Sequence, residues 1–503
     1  MRRRRRCRRR RATLAGPLAC LLLTAGLAAG CREAARERPL RLGMYDGVAQ
    51  LDPHLENEFL TVSVLSHLYE ALVTFDAELR IRPCLAERWD NPSDRVWRFY
   101  LRPDVTFHDG RPLRAEDVVW SLERARNHPR TEFASYLVAV AGVRALDART
   151  VEITTERAYS VLLQKLAFLF VLPEGSPEAV REPIGTGPYR LLRHDPGERV
   201  TLEAFPGYWG QSPAFRRVEL LAIPDPGERV QRLLDGEIDL AQALPPAEVA
   251  RVEGSGVATV ALREGLSVEY LETRSDRPPF DDDRVRRALS LALDREALVR
   301  ELLHGQGVPA GQLVPPMAVG FAPDLAAPAA DPDAARRLLH AAGYPDGLDV
   351  ELEHRAGRPV EPIARQLEAA GIRVRPVGRE WQALYERLIA GETSLAYVGL
   401  VVESADASDV LDSMGHSPDP RRGYGDGNYG GYRNPELDEL IERSGSEPKP
   451  LERRILLQEC MRLWTRDAPY IPLYVPHELY GVRRGLSWRP RLDGNLLAAE
   501  MAP

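Results

Sequence analysis

The sequence predicts an α/β protein built from large lobes that belong to one body. Its 503 residues exceed the usual domain size of roughly 100–200 residues, so two or three units, or one two-lobed body, are expected. After residue 35, strand-like and helix-like stretches alternate along the chain without a tandem repeat. No long low-complexity linker separates them, and this favours α/β lobes over a string of independent domains.

The strand-like stretches are preceded by turn residues. Residues 150–153 read Thr-Val-Glu-Ile and residues 201–204 read Thr-Leu-Glu-Ala, both rich in β-favouring side chains. The run Asp-Ala-Arg precedes the first stretch, and Asp-Pro-Gly lies shortly before the second. Because such residues form tight turns, each stretch is predicted to be one arm of a β-hairpin.

The helices are marked by their ends. An N-terminal cap or a carboxylate stabilises the positive end of a helix, proline fits its first turn, and glycine ends it. Three segments carry such signals: residues 285–303, after Asp281-Asp282-Asp283 and before Gly305; residues 334–342, after Asp331-Pro332-Asp333 and before Gly343; and the segment after Asn434-Pro435, where Leu437, Leu440 and Ile441 share one helical face.

Composition and charge exclude two classes of protein. Hydrophobic residues make up 44% of the chain and charged residues 28%, which is ordinary for a globular protein and excludes a mainly disordered one. Nine of the 67 basic residues lie between Arg2 and Arg11, so the rest of the chain is more acidic than the formal net charge of −7 implies. Nucleic acid is therefore not expected as a partner.

The N-terminus has the features of an export signal. An arginine run is followed by an apolar stretch at residues 12–30, which ends in small residues before Cys31. This ending resembles a bacterial lipoprotein signal, so residues 1–30 are predicted as the signal peptide, Cys31 as the lipidated first residue and residues 31–35 as a tether. An uncleaved membrane anchor of about 19 residues is the alternative. In the body, Cys84 and Cys460 form no metal-binding spacing, and whether they pair stays open.

Motifs of common enzyme classes are incomplete in this chain. Neither Lys165 nor Lys449 is followed by the serine or threonine of a phosphate-binding loop, and no GxSxG nucleophile motif occurs. His477-Glu478 lacks the second histidine of a zinc protease, and His108 is interpreted as a turn residue rather than a metal ligand. The protein is therefore predicted to be a non-enzyme without a metal or cofactor.

Six short motifs are spread over residues 40–480. They are Tyr69-Glu70-Ala71-Leu72, Arg82-Pro83-Cys84-Leu85-Ala86, Phe107-His108-Asp109-Gly110, Ile184-Gly185-Thr186-Gly187-Pro188-Tyr189, Pro279-Phe280-Asp281-Asp282, and Asp467-Ala468-Pro469 before Ile471-Pro472-Leu473-Tyr474. In sequence and in order these motifs resemble the solute-binding proteins of ABC importers, in the branch that binds peptides and nickel (family 5).

This resemblance implies a two-lobed fold like that of type II periplasmic binding proteins, with a two-strand hinge and a ligand cleft between the lobes. The chain is expected to cross between the lobes near residues 270–273 and to return near residues 470–474. Lobe I then comprises residues 36–269 and 475–503, with an extra subdomain at residues 55–182. Lobe II comprises residues 270–474.

The same resemblance implies candidate ligand-binding residues. A zwitterionic peptide in a closed cleft needs both terminal charges matched, because an unpaired buried charge is costly. Asp406, after Ser404-Ala405, resembles the family's anchor for the ligand ammonium group, and Arg358, before Pro359, resembles its carboxylate anchor. Glu403 would either favour cationic ligands or face solvent.

Taken together, these features predict a monomeric extracytoplasmic lipoprotein, held at the membrane in the periplasm or on the cell surface. It would capture a small solute, an oligopeptide or dipeptide, and deliver it to an ABC permease. Two alternatives stay open. The same fold could bind a metal chelate or a sugar derivative, or the protein could be a ligand-sensing lipoprotein that is not coupled to transport.

Overall fold

The computed structural model describes residues 38–503 except Asn57, Ser160 and Glu403. The predicted signal peptide, the tether with Cys31, and the candidate ligand residue Glu403 therefore lie outside the described residues. Within them, the alternation of strands and helices confirms the α/β class.

The strands in chain order are β1 (Leu40–Met44), β2 (Val73–Phe75), β3 (Ile81–Pro83), β4 (Ala86–Ser93), β5 (Val96–Leu101), β6 (Val140–Asp147), β7 (Thr150–Thr155), β8 (Tyr189–Asp195), β9 (Arg199–Ala204), β10 (Arg217–Ala222), β11 (Leu240–Ala241), β12 (Ala258–Glu264), β13 (Ser267–Thr273), β14 (Gly307–Pro309), β15 (Leu348–Arg355), β16 (Ile372–Arg379), β17 (Leu395–Val401) and β18 (Tyr470–Arg483).

The α-helices in chain order are α1 (Phe59–Leu65), α2 (Ala115–Asn127), α3 (Leu162–Leu166), α4 (Pro226–Leu234), α5 (Val249–Gly254), α6 (Asp283–Leu291), α7 (Arg295–Leu303), α8 (Pro332–Ala341), α9 (Glu361–Ala369), α10 (Trp381–Ile389), α11 (Ser408–Val410), α12 (Pro435–Ser446) and α13 (Pro450–Asp467). A π-helical turn, Leu411–Gly415, follows α11 directly.

The first lobe is organised around strand β1, which pairs in parallel with β10 and β11. Its side chains alternate between the two faces of the sheet, as the period of a strand requires. Leu40, Leu42 and Met44 enter one buried core, whereas Gly43 faces Ile238 of the core on the other face. Strands β8 and β9 extend this sheet as an antiparallel hairpin, as the sequence predicts.

A separate antiparallel sheet of four strands, β4-β5-β7-β6, lies within the predicted subdomain at residues 55–182. Strands β6 and β7 form the second predicted hairpin. Helix α2 packs on this sheet and contributes Val118 and Leu122 to a core that also contains Phe99 and Ile153. The buried residues of this separate core lie between Leu72 and Val171. Residues at both ends of the predicted range, such as Leu65 and Leu172, pack instead into the core around β1.

The second lobe contains the parallel strands β16, β15 and β17 next to β13. Strand β17 is apolar along most of its length, which is typical of a strand covered on both faces. Ala396 and Val398 pack into one core, whereas Leu395 and Tyr397 pack into the other. Both cores also contain helical residues, so helices cover both faces of this sheet.

The two lobes share strand β18, which is 14 residues long. Its first half pairs with β13 of the second lobe, and its second half pairs with β12 of the first lobe. Gly265 and Leu266 join β12 to β13, so the chain passes between the lobes along two neighbouring antiparallel segments. The predicted crossing segments 270–273 and 470–474 pair with each other on the second-lobe side of this junction. The exact lobe boundaries stay a prediction.

Most predicted helix ends are confirmed by capping contacts, but one predicted helix is wrong in length. The Asp331 carboxylate accepts a hydrogen bond from the Ala334 amide at 2.8 Å at the start of α8. The segment predicted as a single helix over residues 285–303 is two helices, α6 and α7. Asp294 lies between them and accepts a hydrogen bond from the Ala297 amide at 2.9 Å. An aspartate that caps a new helix competes with continuation of the old one, and this accounts for the break.

Candidate functional site

The candidate site lies at the edge of the second-lobe sheet where β15 and β17 end. Because these strands are parallel, the segments that follow them, residues 356–360 and 402–412, leave the sheet at the same edge. In open α/β sheets, ligands bind outside the carboxyl ends of the strands. The two predicted anchors that the structure describes, Arg358 and Asp406, are on these two segments.

Asp406 is a partly buried carboxylate with an arginine partner. Arg453 of α13 donates to both of its oxygens, from Nη1 to Oδ2 at 2.6 Å and from Nη2 to Oδ1 at 2.9 Å. The amide and hydroxyl of Ser408 also donate to Oδ1, at 3.0 and 2.8 Å. The side chains of Asp406 and Arg453 are only 13% and 12% exposed. The geometry is a bidentate, charge-assisted pair, which fixes the Asp406 carboxylate in place.

Two further carboxylates follow Asp406 at intervals of three residues. Asp409 accepts hydrogen bonds from the amide and hydroxyl of Ser404, both at 2.8 Å. Burial raises the pKa of Asp409, and the charge of Asp406 raises it further, although the Ser404 hydrogen bonds oppose this shift. We call Asp406, Asp409 and Asp412 the acidic cluster.

Asp412 differs from the other two members of the acidic cluster. Its carboxylate has no hydrogen bond or ion pair with any residue that the structure describes. Burial raises the pKa of Asp412 to about 7, and repulsion from Asp409 and Asp406 adds to the shift. The charge of Arg453 opposes this increase only in part. The cluster therefore has more negative charge than the one arginine in contact with it can balance.

The first-lobe subdomain faces the acidic cluster. The charge of Lys165 on α3 opposes the burial that raises the pKa of Asp409, and Tyr159 is close enough to be influenced by the charge of Asp412. Lys165 also lies over the ring of Tyr136, with its Nζ 4.7 Å from the ring centroid. Residues of both lobes thus line this end of the space between them, as a cleft between lobes requires.

Arg358, the second predicted anchor, is held by residues of the hinge region. Its Nη2 donates to Oε1 of Glu269 at 2.9 Å, and its guanidinium carbon is 4.6 Å from the centroid of the Tyr397 ring. The hydroxyls of Tyr397 and Tyr474 are hydrogen bonded to each other. Burial raises the pKa of Glu269, although the charge of Arg358 opposes the shift. The Arg358 side chain is still 29% exposed and so can contact a ligand.

The predicted anchors follow two neighbouring parallel strands, but each is paired with another side chain. The partners Arg453 and Glu269, and the remaining carboxylates of the acidic cluster, were not predicted from the sequence. No local pattern could have indicated Glu269 or Arg453, because each lies far along the chain from its partner. The ligand-binding roles of Asp406 and Arg358 stay predictions, and Glu403 is outside the described residues.

Residues interpreted as structural have structural contacts. His108 Nε2 is 3.1 Å from the carbonyl oxygen of Gly187, and the Gly185 amide donates to its Nδ1 at 3.3 Å. Among the residues that the structure describes, no three His, Cys, Asp or Glu side chains are grouped as metal ligands. In the same part of the chain, no helix has the length and apolarity needed to span a membrane.

Comparison with known proteins identifies the class to which this fold and cleft belong. Residues 80–421, more than half of the chain, match the family model described as bacterial extracellular solute-binding proteins, family 5 Middle. The chain belongs to this family. It is an extracytoplasmic solute-binding protein of ABC transport, with the two-lobed type II fold, and it is a binding protein rather than an enzyme.

Individual relatives differ in the ligand that their names state. The chain is 28% identical over 443 residues to the dipeptide-binding protein of Escherichia coli (strain K12), covering 80% of this chain and 82% of that protein. It is 26% identical over 447 residues to heme-binding protein A of Haemophilus influenzae, covering 81% of each.

A solved structure confirms the fold. The periplasmic binding protein DppA of Helicobacter pylori, solved in complex with the peptide STSA, superposes with a TM-score of 0.78 at 23% identity. The superposition covers 94% of this chain and 99% of that one. The family and the two-lobed architecture of this chain are thus established.

Proposed function

We propose that this protein binds a short peptide with a free amino group in the cleft and delivers it to an ABC permease. The observation that carries the proposal is the arrangement of charge at one edge of the second-lobe sheet. The acidic cluster follows β17, and Arg358 follows the neighbouring strand β15. A zwitterionic peptide laid along this edge would place its ammonium group at the carboxylates and its carboxylate group near the arginine.

The acidic cluster supports the ammonium end of this proposal. Of its three carboxylates, only Asp406 contacts an arginine among the described residues, Arg453. Burial raises the pKa of Asp412, and repulsion from the other two carboxylates adds to the shift. A ligand ammonium group would supply a compensating positive charge, with Asp406 as the primary anchor. Charge-assisted hydrogen bonds of this kind are about twice as strong as neutral ones.

Closure of the lobes would couple binding to transport. A ligand that contacts both lobes favours the closed form by its differential contacts, and the permease would recognise that form. The acidic cluster and the facing Lys165 are on different lobes, so a ligand between them would bridge the cleft.

We further propose that the protein acts as a monomer and is anchored through a lipid on Cys31. The intact mass of protein extracted from membranes tests the anchor, since an unmodified Cys31 would refute it.

The test of the peptide proposal compares Asp406→Asn with wild type. The probes are a synthetic library of di- to pentapeptides and the same library after N-acetylation, which removes the ammonium charge. Removing one partner of a desolvated charge pair typically costs about 2–5 kcal/mol, so Asp406→Asn should weaken binding of the free library by roughly 30-fold or more. Calorimetry should show that wild type discriminates between the two libraries and that Asp406→Asn does not.

The control is Asp346→Asn, an exposed aspartate before the start of β15, at the opposite end of that strand from the site. An exposed carboxylate contributes about 0–1 kcal/mol, so this variant should bind like wild type. Because Asp406 also holds Arg453, circular dichroism must show that Asp406→Asn is folded. If folded wild type binds both libraries equally well, or binds neither, the ligand is not a peptide recognised by its ammonium group.

A further inference from the structure

A large cavity lies in the second lobe, away from the cleft between the lobes. Its volume is about 910 Å³, and its wall includes Tyr470 and Pro472 at the start of β18. Tyr470 pairs with Glu272 near the end of β13, and that end of β13 is next to the start of β17. The acidic cluster follows the opposite end of β17. The cavity is therefore at the sheet edge distal to the proposed peptide site.

Two buried arginines form part of the cavity wall. Arg295 is 3% exposed and donates only to neutral oxygens: Nε to the Pro472 carbonyl at 2.7 Å, Nη1 to the Ser290 and Leu293 carbonyls at 3.0 and 3.3 Å, and Nη2 to the Ser290 hydroxyl at 2.9 Å. Burial lowers the pKa of Arg295 to about 10. No carboxylate of the described chain forms an ion pair with it.

Arg286 has the same kind of surroundings. It is 7% exposed, and its Nε and Nη2 donate to the backbone carbonyl of Asp467 at 3.1 and 2.8 Å. Its Nη1 donates to the Phe280 carbonyl at 2.7 Å. A guanidinium has five N–H groups, so two remain on Arg286 and one on Arg295 without an acceptor among the described residues.

Within the described residues, no carboxylate that lines the cavity forms an ion pair with either guanidinium group. The Asp467 carboxylate accepts hydrogen bonds from the Tyr432 hydroxyl and the Asn434 amide, both at 2.8 Å, and from Arg466 Nε at 3.2 Å. Asp281 and Asp283 are exposed, and neither forms an ion pair with a buried arginine within the part of the chain that the structure describes.

Three more arginines line the cavity at exposed positions: Arg287, Arg433 and Arg466. Arg287 and Arg466 pair with Asp283 and Asp467, at 3.9 and 3.2 Å. Arg433 has no ion-pair partner among the residues that the structure describes. Five arginines thus line the cavity with three aspartates. Buried charges in proteins are normally paired, and guanidinium groups with free N–H groups match carboxylate and phosphate oxygens.

We propose that this cavity is a second ligand site, which binds a small organic anion bearing carboxylate or phosphate groups. The anion would accept hydrogen bonds from the free N–H groups of Arg286 and Arg295, and the exposed arginines would bind its outer oxygens. This site goes beyond the peptide site, because it is on one lobe and needs no closure. It is also larger than a single phosphate, and so accommodates a ligand with several anionic groups.

The test uses citrate and pyrophosphate as probes on the purified protein, at a constant ionic strength set with chloride. Calorimetry should show saturable binding of at least one probe. The double variant Arg287→Gln/Arg433→Gln, which changes only exposed residues, should weaken that binding at least tenfold. The matched control is Arg300→Gln, an exposed arginine on the same helix as Arg295 but outside the cavity wall. It should bind as wild type does.

The two probes distinguish carboxylate from phosphate chemistry by which of them binds more tightly. Absence of saturable binding of both probes to wild type would overturn the proposal. So would equal binding by wild type and the double variant. Loss of anion binding in folded Asp406→Asn would place the anion in the cleft and would also overturn it. Failure of the peptide test leaves this result unaffected, because the anion site shares no residue with the cleft.

Discussion

At the scale of single residues, Glu70 shows how a buried acid organises the first lobe. Its carboxylate accepts hydrogen bonds from Thr186 Oγ1 at 2.8 Å, the Tyr208 hydroxyl at 2.9 Å and Trp209 Nε1 at 2.8 Å. These donors come from two segments far along the chain from Glu70. Burial raises the pKa of Glu70 to about 7 from an ordinary value of 4.5, although the hydrogen bonds oppose the shift.

This raised pKa predicts a pH dependence of stability. The folded protein binds the Glu70 proton more tightly than the unfolded chain, so this contribution to stability is complete below pH 4.5. It is lost as the pH rises towards 7, and it amounts to at most about 3 kcal/mol. Glu70→Gln mimics the protonated acid, so its stability does not decrease in this way as the pH rises. Between pH 4.5 and 7.5, thermal unfolding should therefore show Glu70→Gln gaining stability relative to wild type.

The control is Glu78→Gln, an exposed glutamate of the same lobe. Its stability should run parallel to that of wild type over this pH range. A constant difference between Glu70→Gln and wild type at every pH would show that Glu70 has an ordinary pKa in the folded protein.

At the scale of elements, the junction between the lobes depends on a close approach of two backbone segments. Gly265 lies between β12 and β13, and a Cβ atom built on it would be 2.3 Å from the carbonyl oxygen of Pro476 in β18. No Cβ atom tolerates that distance to a backbone atom. Glycine at this position therefore allows the two segments that join the lobes to lie side by side.

Gly265→Ala should destabilise the protein, because the new methyl group must displace β18. Overpacking of this kind typically costs about 1–3 kcal/mol, so the urea midpoint should fall. The control is Gly254→Ala in α5, where an added Cβ meets nothing within 4 Å. That variant should be neutral or more stable by about 0.5–1 kcal/mol, because alanine favours the helix. Equal urea midpoints for Gly265→Ala and wild type would show that the junction accommodates the added methyl group without loss of stability.

At the scale of the whole molecule, the two lobes are joined by few backbone connections and have separate cores. Such an arrangement favours hinge motion about the junction of β12, β13 and β18. The facing charges of Lys165 and the acidic cluster would be brought together as the cleft closes. A ligand between the lobes would stabilise the closed form only as far as its contacts differ between the two forms.

Small-angle X-ray scattering should therefore show a smaller radius of gyration in the presence of the peptide library than without it. The N-acetylated library is the control, and it should leave the radius close to that of the free protein. The same data should give the mass of a monomer. An unchanged profile with peptide bound, as verified by calorimetry, would exclude closure as the response to ligand.

Local patterns in the sequence account for the parts of the structure that depend on neighbouring residues. The cap of α8 at Asp331 and the hairpin arms β7 and β9 are predicted well, because turn and capping preferences act over a few residues. The two-lobed fold was predicted from the resemblance of several motifs to family 5, not from local patterns. The break at Asp294 was missed because the same aspartate is compatible with a helix interior and with a helix cap.

The sequence by itself thus determined the class, the lobed architecture and the segments on which Asp406 and Arg358 lie. Only the tertiary structure decided their partners. Arg453 is 47 residues from Asp406, and Glu269 is 89 residues from Arg358, so no periodicity connects them. Charge pairing at such separations follows from how the strands and helices pack, because a side chain's partner and its burial are properties of the assembled fold rather than of the local sequence.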